Sequence, residues 1–158
     1  MSLPRVHHLT LPDPKQTAGF AVRLGACLQP GDVLLLEGPI GAGKTHFARA
    51  LIQSLLAQPE DVPSPTFTLV QIYDGPDCEI WHSDLYRLGH PDEVAELGLI
   101  DAFDTAICLV EWPDRLGVLA PEQALHLSFE PGATDDARRL TLRWTDPRWT
   151  DLITELAP

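Results

Sequence analysis

The sequence predicts a three-layer α/β sandwich with a mixed central sheet, and three observations support this prediction. Two uninterrupted apolar runs, residues 33–36 and 106–110, have the composition of strands that are buried on both faces. Segments with helical apolar spacing alternate with strand segments in the first half of the chain. Finally, two strand segments follow each other around the turn at residues 74–77, so an inserted β-hairpin interrupts the alternation.

In the first half of the chain, prolines and glycines separate the predicted elements. A strand over residues 6–11 precedes a helix that Asp13 and Pro14 open. A strand over residues 33–37 leads through a glycine-rich turn to a second helix, which begins near Lys44 and ends before Pro59. The β-branched and aromatic residues 66–73 predict a strand, and residues 78–84 predict its hairpin partner. Helical spacing in the first helix is set by Phe20, Ala21, Leu24 and Leu28.

The second half is predicted to hold a short helix, three strands and a terminal helix. Residues 91–97 suit the helix, and residues 106–110 suit a central strand that ends at Glu111. Residues 125–129 and 140–144 alternate apolar and polar side chains, which predicts two half-exposed strands paired across the 130–137 loop. Residues 146–156 are predicted to form the last helix.

Length, charge and cysteine content narrow the class of protein. A chain of 158 residues predicts one domain over residues 1–158. The net charge of −12 disfavours direct binding of a nucleic-acid backbone, whereas a basic partner, or RNA held by a partner, is compatible. Three cysteines without a C-x-x-C pair predict neither structural disulfides nor a zinc knuckle. Because no signal peptide and no 18-residue apolar run is visible, we expect a cytoplasmic protein without a membrane association.

A phosphate-binding loop lies between the first buried strand and its helix. The segment Gly38-Pro39-Ile40-Gly41-Ala42-Gly43-Lys44-Thr45 has the spacing G-x-x-x-x-G-K-T in the strand–loop–helix context that this motif requires. Its glycines allow successive N–H groups to converge on an anion, and the helix N-terminus adds a positive dipole. We therefore predict that Gly38 and residues 40–45 bind nucleotide phosphates in a fold like that of P-loop NTPases.

Two residues of the loop have more specific predicted roles. Lys44 would lie between the β and γ phosphates, and the Thr45 hydroxyl would bind Mg²⁺. The chain has only one other lysine, Lys15. It has no asparagine, which the N-K-x-D guanine-recognition motif needs, so guanine is disfavoured.

The predicted Mg²⁺-nucleotide site also needs a carboxylate at the end of a neighbouring strand. Asp84 and Glu111 both end predicted strands, and both would reach the phosphate loop if those strands run parallel to it. We predict catalytic roles for Lys44, Asp84 and Glu111, and metal contacts from Thr45, Asp84 and Glu111.

Simpler interpretations of these acids stay open. Asp84 could cap a turn or pair with Arg87, and Glu111 could be a strand-end acid before the Pro113 turn. A zinc site on His82 and Asp84 is a less favoured alternative, because two such residues two apart are common by chance.

Three further residues are candidates for contact with the nucleotide. Thr66 follows two stiffening prolines, where a switch loop would offer a hydroxyl to the γ-phosphate or metal, although it could equally open a strand. Trp112 belongs either to the core or beside the site. Arg138 could reach a phosphate or simply begin a solvated strand.

Four segments together resemble the TsaE (YjeE) family of bacterial ATPases in tRNA threonylcarbamoyladenosine biosynthesis. They are the phosphate loop itself, Ser64-Pro65-Thr66-Phe67-Thr68-Leu69-Val70, His82-Ser83-Asp84-Leu85-Tyr86-Arg87-Leu88, and Val110-Glu111-Trp112-Pro113. The first is generic, whereas the other three in this order and spacing are more specific. This chain departs from the family at Pro39, where Asp is common, and at His46, where a small hydroxyl residue is usual.

The resemblance implies a Mg²⁺-dependent cytoplasmic ATPase that works with the TsaB and TsaD proteins. Those partners modify the adenosine beside the anticodon in tRNAs that read codons starting with A, so tRNA would be met only through them. Thr45 and Glu111 would hold Mg²⁺, and Asp84 would support activity at the ATP site. A residue in the first helix region would also approach the nucleotide, and Thr17 is the candidate.

Two rival functions remain at this stage. A small-molecule kinase has a suitable size but usually needs an arginine-bearing lid, and the nine arginines here are scattered. A nucleotide-dependent assembly factor would bind partners differently in its ATP and ADP states. The resemblance combines this last idea with hydrolysis, because ATP turnover would reset a partner complex.

Overall fold

The computed structural model describes residues 3–156, which contain seven strands, five α-helices and a 3₁₀ helix at Pro113–Leu119. The strands are β1 (Arg5–Leu11), β2 (Val33–Glu37), β3 (Val70–Asp74), β4 (Glu79–Asp84), β5 (Ile107–Glu111), β6 (Leu125–Pro131) and β7 (Arg138–Trp144). The α-helices are α1 (Pro14–Gly25), α2 (Lys44–Leu55), α3 (Asp92–Glu96), α4 (Leu99–Thr105) and α5 (Arg148–Leu156).

All seven strands belong to one mixed sheet with the order β1-β7-β6-β2-β5-β4-β3. The consecutive strands β6, β2, β5 and β4 are parallel, whereas β1, β7 and β3 pair antiparallel. The predicted inserted hairpin is β3–β4, and the predicted pairing of the two late strands is β6–β7. Since β4 and β5 run parallel to β2, their final acids reach the edge of the sheet where β2 ends.

Two hydrophobic cores cover opposite faces of the sheet and produce the three layers. In β2, Leu34 and Leu36 contribute to the core under α1, α2 and α5, whereas Val33 and Leu35 contribute to the core under α3 and α4. All four side chains are fully buried, as a central strand with helices on both sides requires. An apolar run without alternation is therefore the correct sequence signal for this strand.

The segment before β3 differs from the prediction. Residues 66–68 belong to a turn and Leu69 to a bend, not to the first half of a strand, and β3 begins only at Val70. Leu69 has φ 68°, outside the strand region, and its N–H donates to the Pro65 carbonyl over 2.7 Å. Local hydrogen bonding in this loop thus overrides the β-propensity of Thr66, Phe67 and Thr68.

Smaller differences concern helices. α4 and the 3₁₀ helix were not predicted, and Leu28 lies beyond the end of α1 at Gly25. The last helix begins at Arg148, two residues later than expected. Among residues 3–156, no helix has both the length and the apolar character needed to cross a membrane.

Candidate nucleotide site

The phosphate loop leaves the sheet where three parallel strands end together. Leu36 of β2 pairs with Glu111 of β5, and Glu111 pairs with Asp84 of β4. Gly38 has φ 137°, and a Cβ there would lie 2.5 Å from the Phe129 carbonyl oxygen on β6. Glycine at position 38 is therefore required both by the backbone angle and by the close approach of β6.

Arg138, at the start of β7, supports the outer side of the loop. Its Nε donates to the Ala42 carbonyl over 2.9 Å, and a terminal nitrogen donates to the Gly41 carbonyl over 3.3 Å. The other terminal nitrogen donates to the carbonyls of Asp135 and Ala137. These bonds hold the carbonyls of Gly41 and Ala42 in place and so restrict the conformation of the loop.

Lys44 is folded back onto its own loop. Its Nζ donates to the Gly38 carbonyl over 2.5 Å and lies 3.6 Å from the centre of the Trp112 ring. Only 5% of the residue is exposed. Burial lowers the pKa of Lys44, and the carboxylates of Glu111, Asp84 and Asp114 oppose that effect. A phosphate anion at the loop would therefore be a more favourable partner for this buried ammonium group than the Gly38 carbonyl.

Behind Lys44, a line of hydrogen bonds joins the helix start to two buried strands. The Thr45 hydroxyl donates to Glu111 Oε1 over 2.8 Å, and His82 Nε2 lies 2.7 Å from Glu111 Oε2. Glu111 is 2% exposed and His82 is fully buried. Leaving one partner of such a buried bond unpaired costs about 1–3 kcal/mol. Each of the three side chains therefore restricts the orientation of the side chain to which it is bonded.

Asp84 is placed by a second set of bonds. Its Oδ1 accepts from the Tyr86 N–H over 3.0 Å, and its Oδ2 accepts from the Thr66 hydroxyl over 3.3 Å. Asp84 thus caps a turn, as the simpler interpretation held, and also faces the site. It does not pair with Arg87, whose guanidinium lies over the Phe67 ring at 5.2 Å.

These groups surround a cavity of about 520 Å³. Most predicted site residues line it, together with two that were not predicted, His46 and Tyr86. Its lining consists of Ile40, Gly41, Gly43, Lys44, Thr45, His46, Thr66, Asp84, Tyr86, Glu111, Trp112 and Arg138.

Three predicted residues lie apart from this cavity. Gly38 and Ala42 turn their carbonyls to Lys44 and Arg138, respectively. Thr17 is buried in α1, where its hydroxyl donates to the Asp13 carbonyl over 3.3 Å. It lines a second cavity of about 160 Å³, which shares Gly43, His46 and Arg138 with the first and is completed by Pro14 and Asp136.

Sequence reasoning missed the contacts of three residues. Tyr86 packs its ring 4.9 Å from that of Trp112, and His46 Nε2 contacts the Pro14 carbonyl over 3.0 Å. His82 was weighed only as a zinc ligand with Asp84, whereas it pairs with Glu111. Its position two residues before Asp84 places it on the same face of β4, but its partner on β5 depends on the register of the two strands.

The oxygen groups in the cavity fit a magnesium ion. Two ligands on adjacent corners of an octahedron with Mg–O bonds of about 2.1 Å are about 3 Å apart, and Thr45 Oγ1 and Glu111 Oε1 are separated by 2.8 Å. Within residues 3–156, no group of three or more His, Cys, Asp or Glu side chains could hold a metal. The arrangement therefore suits an ion whose other ligands are phosphate and water, and not a closed zinc site.

A strand, a glycine-rich phosphate loop and a helix at the edge of a mixed, mainly parallel sheet define a protein with the P-loop NTPase fold. Sequence comparison then specifies the family: the model described as "Threonylcarbamoyl adenosine biosynthesis protein TsaE" matches residues 11–140. The chain belongs to the TsaE family, which acts in tRNA threonylcarbamoyladenosine biosynthesis.

Individual relatives agree with this assignment. The tRNA threonylcarbamoyladenosine biosynthesis protein TsaE of Rickettsia typhi is 41% identical over 131 residues, covering 83% of this chain and 90% of the relative. The protein of the same name from Bacillus subtilis is 36% identical over 146 residues, covering 92% and 90%. The crystal structure of Bacillus subtilis YdiB has a TM-score of 0.81 at 29% identity and covers 99% of this chain and 97% of its own.

Proposed function

We propose that this protein is a Mg²⁺-dependent ATPase that works with TsaB and TsaD in forming threonylcarbamoyladenosine beside the anticodon. ATP hydrolysis would reset the partner complex and would not itself modify tRNA. Family membership supports the pathway. The net charge of −12 supports docking on a protein while the partners hold the RNA, and a cytoplasmic location is part of this proposal.

The observation that carries the proposal is the pairing of the Thr45 hydroxyl with the Glu111 carboxylate at 2.8 Å beside Lys44. A phosphate loop alone would explain anion binding. A buried strand-end carboxylate on the loop hydroxyl adds the oxygen ligands that a nucleotide-bound Mg²⁺ needs.

Each side chain has a distinct part in the proposed mechanism. When bound by Thr45 and Glu111, Mg²⁺ would neutralise charge on the phosphate oxygens. Lys44 would exchange the Gly38 carbonyl and the Trp112 ring for phosphate oxygens, which are stronger partners for an ammonium group. Asp84, with the Thr66 hydroxyl beside it, is the carboxylate available to orient the attacking water, and Arg138 would keep the loop in shape.

The first experiment measures ATP hydrolysis by the purified chain, alone and after addition of purified TsaB and TsaD. We expect low activity alone and a clear rise with both partners, and Lys44→Ala should abolish activity in both conditions. Equal activity with and without partners would contradict the proposed partnership. Phosphate transferred to a metabolite instead of water would favour the small-molecule kinase.

A second experiment isolates the metal site. Calorimetric ADP titrations in EDTA and in MgCl₂ should show that Glu111→Ala spares metal-free binding and loses most of the gain from Mg²⁺. Glu155→Ala, which removes an exposed glutamate on α5, is the matched control and should behave like wild type. An unchanged magnesium response in Glu111→Ala would show that another acid holds the ion.

A further inference from the structure

A fully buried histidine lies behind the carboxylate of the proposed magnesium site. His82 Nε2 is 2.7 Å from Glu111 Oε2, while the opposite oxygen, Oε1, accepts the Thr45 hydroxyl proton at 2.8 Å. The two carboxylate oxygens are thus bound from opposite sides, one by β4 and one by α2. Glu111 itself is 2% exposed, so water has little access to replace either bond.

The direction of the His82 bond follows from the chemistry of its partner. A carboxylate that binds a cation is ionised and can only accept hydrogen bonds. The imidazole must therefore carry a proton on Nε2 and donate it to Oε2. Such a bond fixes the rotation of the carboxylate, because turning the group would break the contact with His82 and with Thr45 together.

The packing of this face of β4 does not require a histidine at position 82. Ile80, two residues earlier on the same face, is fully buried in the core under α1 and α2. An apolar side chain at position 82 would be buried there without leaving a polar group unpaired. The buried His82 Nδ1 instead has no hydrogen-bond partner among residues 3–156. The single bond to Glu111 is what an imidazole provides here and an apolar side chain could not.

We propose that His82 is a positioning residue for the metal site: it holds the Glu111 carboxylate so that Oε1 stays beside Thr45. His82 touches neither metal nor nucleotide and acts only through Glu111. The inference rests on the proposed function, since it assigns His82 a role in Mg²⁺-nucleotide binding. It predicts that removing the Nε2 donor weakens the magnesium-dependent part of nucleotide affinity and leaves the metal-free part unchanged.

Two variants of equal length separate this role from a packing role. In His82→Gln the amide nitrogen can reach the place of Nε2 and donate to Glu111, whereas His82→Met fills similar space without a donor. ADP affinity is measured by calorimetry in EDTA and in MgCl₂, and thermal unfolding checks the fold. We expect His82→Met to lower the gain in affinity from Mg²⁺ by about 10–100-fold, with His82→Gln near wild type and EDTA affinities equal in all three proteins.

A double variant tests the route of the effect. In a Glu111→Ala background, His82→Met should cause no additional loss of magnesium response, because its target is gone. Equal responses of the Met and Gln variants would overturn the inference, as would a loss in His82→Met that persists without Glu111. If the ADP affinity of the wild-type protein does not change with Mg²⁺, the proposed metal site and this inference both fail. If wild type responds to Mg²⁺ but the His82 variants do not differ, only this inference fails.

Discussion

Replacing Lys44 by methionine should separate nucleotide affinity from stability. Methionine keeps an unbranched apolar stem in the space that Lys44 now fills, which is 5% exposed, and removes only the ammonium group. Lys15→Met is the matched control, because it makes the same substitution at the only other lysine, on the exposed start of α1.

The expected magnitudes follow from the contacts of the ammonium group. In the free protein the variant loses a charge-assisted bond to the Gly38 carbonyl, about 1.5–3 kcal/mol, but it also removes a buried charge, whose burial lowers the lysine pKa. These opposing effects should leave the free energy of unfolding within about 1 kcal/mol of wild type. On binding nucleotide, wild type would gain two charge-assisted phosphate bonds, about 3–6 kcal/mol in all, and would give up the Gly38 bond of about 1.5–3 kcal/mol. The variant should therefore lose about 1.5–3 kcal/mol of binding free energy, which is about 10–10²-fold in affinity.

Urea unfolding and calorimetric ADP titration measure the two quantities on the same samples. Lys15→Met should match wild type in both. A Lys44→Met affinity within about threefold of wild type would refute the assignment of Lys44 to the phosphates. A large loss of stability in Lys44→Met would instead show that the bond to the Gly38 carbonyl outweighs the burial of the charge.

Two further predictions concern the site, and a third concerns an ion pair at the opposite end of β2. If Trp112 contacts Lys44 as the structure shows, ATP should change tryptophan emission in wild type and much less in Trp112→Phe, and equal changes would contradict the contact. Gly38→Ala should lower the free energy of unfolding in urea by more than about 3 kcal/mol, because the added Cβ would meet β6. Gly41→Ala is the control: it has φ 81° but nothing within 4 Å of an added Cβ, and it should cost only about 1–2 kcal/mol. Similar losses in the two variants would refute the clash with β6. Arg148→Met breaks a partly buried pair with Asp32 and should lower the free energy of unfolding by about 2–4 kcal/mol. Arg139→Met, which breaks an exposed pair with Glu130, should cost less than about 1 kcal/mol in the same urea measurement. Equal costs would contradict a structural role for the Asp32 pair.

Patterns with a single physical cause were predictable from sequence. The phosphate loop combines glycines at fixed spacing with a preceding strand and a following helix, and few other structures need all three. The apolar runs of β2 and β5 could be identified because a strand that is covered on both faces has no alternating polar residues. Once β4 and β5 both run parallel to β2, the meeting of Asp84 and Glu111 at one edge follows from their positions at strand ends.

Features that depend on tertiary contacts were not predictable in the same way. Leu69 adopts a positive φ because its N–H bonds to the Pro65 carbonyl and its carbonyl accepts from Asp84, and residue preference alone predicts a strand there. The seven-residue α4 is too short for its periodicity to be distinguished from a loop. The partner of His82 depends on the register of β4 against β5, which a single sequence does not specify.

Several contacts within the protein hold the groups of the site in place. Arg138 fixes the loop carbonyls, the β6 backbone admits only glycine at position 38, and Thr45 already bonds to Glu111. Groups that are held in place in the free protein do not have to be ordered when the nucleotide binds, which lowers the entropic cost of binding. In the proposed mechanism the main rearrangement falls on Lys44, which would leave the Gly38 carbonyl and the Trp112 ring. Trp112 also packs against Tyr86, so loss of the contact with Lys44 would change the surroundings of this aromatic pair beside the cavity.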